Sequence, residues 1–175
     1  FIVTFTIGGL TGVMMSVPAA DFQFHNSLFL VAHFHNMIIG GVLFGAFAGF
    51  TYWFPKFTGF MLNERIGRWA FWSWLVGFIL AFAALYILGF MAAVRRLDHY
   101  DPSLGWQGLF IVAGVGVAII GLGVFFQVLQ LVVSIIQRKK NRVGPDPWNA
   151  RTLEWATPTP PPEYNFAVIP EVTTR

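Results

Sequence analysis

A chain of 175 residues that is 56% hydrophobic and only 11% charged departs from soluble domains, in which about a quarter of residues are charged. Its net charge of +3 is no nucleic-acid signature, because the basic residues flank apolar segments instead of forming a patch. With no cysteine in the sequence, disulfides and thiolate metal sites are excluded.

Four stretches, residues 1–19, 28–54, 69–93 and 108–136, approach or exceed the roughly 20 apolar residues that cross a bilayer as a helix. The expected fold is all-α, a polytopic transmembrane bundle with four membrane-spanning helices over residues 1–137. The first begins at Phe1, without a signal-peptide pattern, and is expected to be cut short, the chain being a piece of a longer protein. A loop with Asp21 and His25, but no Lys or Arg, leads into the second. That segment carries His33-Phe34-His35, then Gly41, Gly45 and Gly49, a stripe of small residues that lets a neighbouring backbone approach. Pro55 is expected to close it. Trp53, Trp69, Trp72 and Trp74 cluster around the next connection and read as an aromatic belt at headgroup level. The third helix ends at Arg95-Arg96, and the fourth carries a second small-residue stripe, Gly114, Ala118 and Gly121. Residues 138–175, with Gly144-Pro145-Asp146-Pro147-Trp148 and Pro158-Thr159-Pro160-Pro161-Pro162, read as an extended, polyproline-like tail.

Loop charge orients the bundle. Lys56, Arg65, Arg68, Arg138, Lys139, Lys140, Arg142 and Arg151 fall on one side, against Arg95 and Arg96 on the other. Cytoplasmic loops collect Lys and Arg, so both ends of the chain and the tail are expected in the cytoplasm. His33 and His35 then lie roughly 10–20 Å below the outer surface at about 1.5 Å per residue.

Histidine at membrane depth usually has a partner and a task. A helix turns about 100° per residue, so His33 and His35 project onto opposite faces. They cannot share one metal, but each can hold a different one. Neutral imidazole is a standard axial ligand of haem iron, and without thiolates or clustered carboxylates zinc and calcium fit poorly. The residues alone leave two readings open: a helix standing as a wall between two haems, or a pair of hydrogen-bonded packing histidines. Arg95 and Arg96 call for anions, which haem propionates would supply; Asp98 and Asp101 are alternative partners, and a snorkelling helix end is the plainest account. Asp21 and His25 lie on the same side as candidates for that polar layer, and His99 reads as an ordinary loop histidine.

The strings VAHFHN, FTIGGLTGV upstream, RR at the end of the next helix and DPWNARTLEWATPTPPPEYNF resemble subunit I of the haem-copper terminal oxidases. The resemblance covers essentially the whole chain and implies the ninth to twelfth helices of a core of twelve or more. It implies that His33 is the proximal ligand of a high-spin haem (type o or a), where dioxygen is reduced to water. His35 is then an axial ligand of a low-spin haem b, and Phe34 the aromatic between the haems. Arg95 and Arg96 become propionate ligands. Copper, its three histidines and the second low-spin ligand belong to earlier helices. The family divides by electron donor: cytochrome c oxidases typically carry His-Asp where this chain has His25-Asn26, and losing that carboxylate weakens a hard-cation site. With HNSLF and VAHFHNMIIGG the chain is most similar to the cytochrome bo-type ubiquinol oxidase branch. The implied function is ubiquinol oxidation coupled to proton translocation in a bacterial plasma membrane, with other oxidase subunits and membrane lipid as partners. A cytochrome c oxidase, a nitric oxide reductase-type relative and, from a different class, a proton-relay transporter are the alternatives.

Overall fold

The computed structural model describes residues 1–171. Helix α1 spans Ile2–Ser16 and α2 spans Pro18–Phe24, bent from α1 by 106°. The first segment is therefore not one straight crossing over residues 1–19. Proline has no N–H to donate, its ring clashes with the carbonyl four residues back, and it holds the preceding residue extended. Val17 accordingly sits at φ −80°, ψ 120°, with Pro18 as the first residue of α2.

The second crossing is a continuous 31-residue rod, Leu28–Thr58. It consists of α3 (Leu28–Met37), a π-helical stretch (Ile38–Leu43) and α4 (Phe44–Thr58). Ser27 starts it, its hydroxyl accepting from Phe29 N at 3.2 Å. Pro55 does not close this helix. It lies inside the last turn, and the stop is Gly59, whose φ of 80° no β-carbon-bearing residue adopts cheaply. The π-helical stretch meets α1 where Thr4, buried, donates to Gly40 O at 2.6 Å.

Helix α5 covers Glu64–Phe90, five residues earlier at its start and three shorter at its end than the apolar stretch 69–93. Asn63 caps it, accepting from Ile66 N at 3.1 Å. At the other end Ala93 N donates to Leu88 O at 3.0 Å, turning the chain out of the helix, so Arg95 and Arg96 stand beyond α5 and not on it. Helix α6 covers Gln107–Ile136, within a residue of expectation.

Backbones approach closely between α5 and α6. A β-carbon on Gly77 would sit 2.7 Å from Gly116 O, and one on Gly123 would sit 3.0 Å from Trp74 N. The expected α6 stripe is a different one: Gly114 and Gly121 meet nothing within 4 Å, and Ala118 is exposed. The α3–α4 stripe also works differently than expected. Gly41 receives the Phe5 ring of α1 and Gly45 the ring of Phe1, which precedes α1, while Gly49 meets Trp53 of its own helix. Aromatic side chains, not a backbone, fill those notches. The core between α3 and α5 is built from Ala32, Phe78, Ala81 and Phe82.

Each end of the bundle is stapled. At one end, Leu28 N donates to Ala93 O at 2.8 Å and Arg95 N to Asn26 O at 2.9 Å. At the other, Met61 N donates to Asn141 O at 2.9 Å, which places the α4–α5 connection beside the start of the tail. Trp53, Trp69 and Trp72 are exposed there, but Trp74 is buried against Phe44, Phe47 and α6. Two residues on from Trp72, it projects to the opposite helix face, which removes it from the belt.

The tail is not simply extended. A 3-10 turn over Leu153–Ala156 buries Trp155 edge-on against Tyr52, 5.1 Å between centroids. Trp148 Nε1 donates to Tyr52 O at 2.9 Å. Lys56, only 5% exposed, donates to Thr157 O at 2.6 Å and Pro145 O at 3.3 Å. Proline excludes helix from this segment, yet two indoles and one ammonium anchor it to α4. The last four residues of the tail, 172–175, lie outside the described residues.

Candidate functional site

His33 and His35 leave α3 toward different helices. The His33 ring lies over α1, where Nδ1 is 3.0 Å from Gly8 O and 3.1 Å from Thr11 Oγ1. The His35 ring stacks on Phe82 of α5 at 4.6 Å and 21°, and its Nδ1 is 2.7 Å from Val31 O. A carbonyl oxygen can only accept, so each Nδ1 carries a proton, and in the neutral imidazole that leaves the lone pair on Nε2. Histidine metal ligands characteristically show this arrangement: one nitrogen pinned by a backbone or carboxylate acceptor, the other free to bind. Phe34 lies beside the His35 ring at 4.4 Å.

Small residues make the His33 position possible. A β-carbon on Gly12 would come within 2.8 Å of His33 Cε1, so the imidazole lies where only glycine leaves space. Around it α1, α3 and α5 share a polar node. Tyr86 Oη is 3.0 Å from Thr11 Oγ1, and Asn36 Nδ2 donates to Tyr86 Oη at 3.0 Å and to Ala32 O at 3.1 Å. Sequence reasoning missed Thr11, Asn36 and Tyr86 as neighbours of His33. Thr11 and Asn36 stand inside the quoted strings FTIGGLTGV and VAHFHN, but nothing in one sequence says that Tyr86, fifty residues on, closes the network.

At the stapled end, Arg95 is held by Asn26, with Nε and Nη2 donating to Oδ1 at 3.2 and 2.7 Å. Arg96 follows in the left-handed region at φ 67°. Among the described residues neither arginine forms an ion pair. Asp98 and Asp101, the alternative partners, are occupied locally: Asp98 pairs with His99 at 3.0 Å, and Asp101 accepts from Ser103 N at 2.8 Å. Those Ser103 hydrogen bonds hold the Asp101 carboxyl below its ordinary pKa. Short loop geometry satisfies both acids before a longer arginine reaches them. Asp21 and His25 pair with each other at 3.4 Å across one turn of α2. They lie on the same side as the arginines, and the chain links them to Arg95 through Asn26, the residue after His25.

The donor set fits a pair of haems, one on each flank: two imidazoles each pinned through Nδ1, with Nε2 turned away from that bond, and two guanidinium groups without an ion-pair partner among the described residues. No three His, Asp or Glu side chains gather into a metal-ion cluster among the described residues. A cavity of about 920 Å³ opens at the other end of the bundle, lined by Thr51, Glu64, Arg68, Trp74 and Gln130 among others, and neither histidine lines it.

Comparison with known proteins places these features in context. Residues 1–119 match the protein family described as Cytochrome C and Quinol oxidase polypeptide I. The chain is 58% identical over 174 residues to a protein of Bradyrhizobium diazoefficiens named Probable cytochrome c oxidase subunit 1, covering 98% of this chain and 26% of that one. It is 56% identical over 176 residues to Cytochrome bo(3) ubiquinol oxidase subunit 1 of Buchnera aphidicola, covering 100% and 26%. To Ubiquinol oxidase subunit 1 of Acetobacter aceti it is 57% identical over 175 residues, covering 98% and 26%. A solved structure described as a heme-copper terminal oxidase dimer superimposes with a TM-score of 0.64 at 24% identity, over 76% of this chain and 25% of that chain, a likeness of fold. The chain spans about a quarter of the length of the curated relatives it matches.

Proposed function

Because the chain belongs to the cytochrome c and quinol oxidase polypeptide I family, we propose that it is the portion of a terminal oxidase subunit I that holds two haems on opposite sides of one helix. His33 is the ligand of the high-spin haem and His35 a ligand of the low-spin haem; Phe34 stands between them, and Arg95 and Arg96 take the propionates. When bound, the haem irons and a copper supplied by the rest of the subunit provide the redox chemistry that reduces dioxygen to water. The chain's own residues fix which nitrogen faces each iron, keep the two rings apart and present positive charge at the rim. The observation that carries this reading is the pair of Nδ1–H groups, at 3.0 Å from Gly8 O and 2.7 Å from Val31 O, which leaves both Nε2 atoms as ligands. Family membership removes the proton-relay transporter as an alternative.

The electron donor is ubiquinol in this reading. Asn26 supports it: the carboxamide takes Arg95 by its oxygen and offers no carboxylate for a hard cation beside His25. The relatives carry both cytochrome c oxidase and ubiquinol oxidase names, so donor identity is tested directly by oxygen consumption with ubiquinol against reduced cytochrome c. Asp21 and His25 complete the polar layer near the propionates. The end bearing Lys56, Arg65, Arg68 and the tail faces the cytoplasm of a bacterial plasma membrane, with other oxidase subunits and lipid around the bundle. Proton translocation belongs to the assembled subunit.

The test is a pair of substitutions in the assembled oxidase. His33→Ala abolishes the carbon monoxide-reactive high-spin spectrum and spares the low-spin bands, while His35→Ala does the reverse. If either variant keeps both signals, the assignment is wrong.

A further inference from the structure

The polar node behind His33 has a direction. Asn36 Nδ2 can only donate, so the Tyr86 oxygen accepts from it at 3.0 Å and its single proton is left for Thr11 Oγ1, also at 3.0 Å. The Thr11 proton in turn goes to Gly8 O at 2.9 Å, which can only accept. Two oxygens, Gly8 O and Thr11 Oγ1, then face the His33 Nδ1–H at 3.0 and 3.1 Å. Both are already accepting from the same chain of donors, Asn36 to Tyr86 to Thr11 to Gly8.

We propose that Tyr86 and Thr11 are positioning residues that set the electron richness of the His33 imidazole, and so the redox poise of the haem on that flank alone. The proposal rests on His33 being a haem ligand. An acceptor that strengthens the Nδ1–H bond makes the ring more basic and favours oxidised iron. Each donor that engages Thr11 Oγ1 or Gly8 O draws density from that acceptor and weakens its hold on the imidazole proton. The Tyr86 hydroxyl therefore keeps His33 less basic than it would otherwise be. Among the described residues His35 has no such chain: its Nδ1 bonds Val31 O, on its own helix. The two imidazoles are thus held by different means, one through three helices and one through a single backbone carbonyl, which separates the poise of two haems bound two residues apart.

The experiment is spectroelectrochemical titration of both haems in the assembled oxidase, with the iron–histidine stretching frequency of the reduced high-spin haem as a second readout. Tyr86→Phe frees a Thr11 lone pair. At fixed potential the oxidised-to-reduced ratio of the His33-side haem rises by about fivefold, the ratio one net hydrogen bond represents, and the iron–histidine frequency rises. The low-spin ratio does not move. Incorporating 3-fluorotyrosine at position 86, a stronger donor that keeps the fold, shifts both readouts the other way. Thr11→Ser behaves as the parent. In a Thr11→Val background Tyr86→Phe has no further effect, because the relay is already cut. No shift with either tyrosine replacement, an equal shift at both haems, or a full shift in the Thr11→Val background overturns the proposal. Retention of the high-spin spectrum in His33→Ala would instead overturn the ligand assignment beneath it.

Discussion

Gly89→Ala is expected to damage the protein far more than a one-carbon change suggests. Gly89 lies near the end of α5, where α3 begins to cross it. A β-carbon there would sit 2.5 Å from Phe29 Cα and closer still to its amide nitrogen and Cβ. These atoms belong to backbone or are fixed to it, so no rotamer change relieves the overlap. Restoring ordinary contact near 3.5 Å opens the α3–α5 crossing by about 1 Å. Overpacking of this kind costs about 1–3 kcal/mol, and a backbone clash belongs at the upper end. Alanine recovers about 1 kcal/mol through helix propensity. The net loss is about 2 kcal/mol. Phe29 lies one turn before His33, so the opening moves the histidine helix as well. Thermal denaturation of the detergent-solubilised oxidase measures the loss, and optical haem content measures the displacement. Gly108→Ala, also helical but with nothing within 4 Å of its β-carbon, is the control expected to equal or slightly exceed the parent in stability. A Gly89→Ala protein with parental stability and full haem content would refute the close-approach reasoning.

Lys56→Met leaves Thr157 O and Pro145 O without their charged donor. At about 2 kcal/mol for charge-assisted bonds, trypsin cleavage at Arg151 is expected to accelerate by about thirtyfold. Asn63→Ala removes the α5 cap to Ile66 N and is expected to cost about 1 kcal/mol in thermal stability, a loss that Asn63→Asp largely avoids. The lowered pKa of Asp101 gives its loop an acid limit. Because the folded form favours the charged carboxylate, the stabilisation is fully present above the ordinary carboxylate range and is lost as pH falls through the lowered value. Amide exchange at Ser103, measured down an acid series, shows this loss of protection, and Asp101→Asn abolishes that pH dependence.

The apolar runs located the three long candidate spans and the bent α1–α2 pair, because burial in hydrocarbon demands long uninterrupted stretches, whatever the neighbours. Helix ends were less legible. Hydropathy marks where a segment leaves the membrane, not where its hydrogen bonds stop, so α5 begins at Glu64 among charged residues and the second rod runs through Pro55 to Gly59. Pro18 was visible as a residue, but its 106° consequence belongs to a turn that the apolar pattern runs straight across. Small residues were similarly ambiguous. Gly114 and Gly121 look like an interface in sequence, whereas Gly77 and Gly116 form the α5–α6 contact and Gly89 the α3–α5 one, because helix rotation relative to a neighbour is set by packing and not by composition.

The candidate site divides along the same line. That His33 and His35 leave one helix in opposite directions follows from the turn per residue alone, and the eight-to-two distribution of basic loop residues distinguishes the two ends. What the histidines touch depended on the fold: Gly8, Thr11 and Tyr86 around one ring and Phe82 against the other, with Arg95 bound to Asn26 instead of an aspartate. Periodicity is a property of a single helix and can be read from a single chain. Partnership between residues 11, 33 and 86 arises only when three helices pack at one depth, and only the tertiary structure decides that meeting.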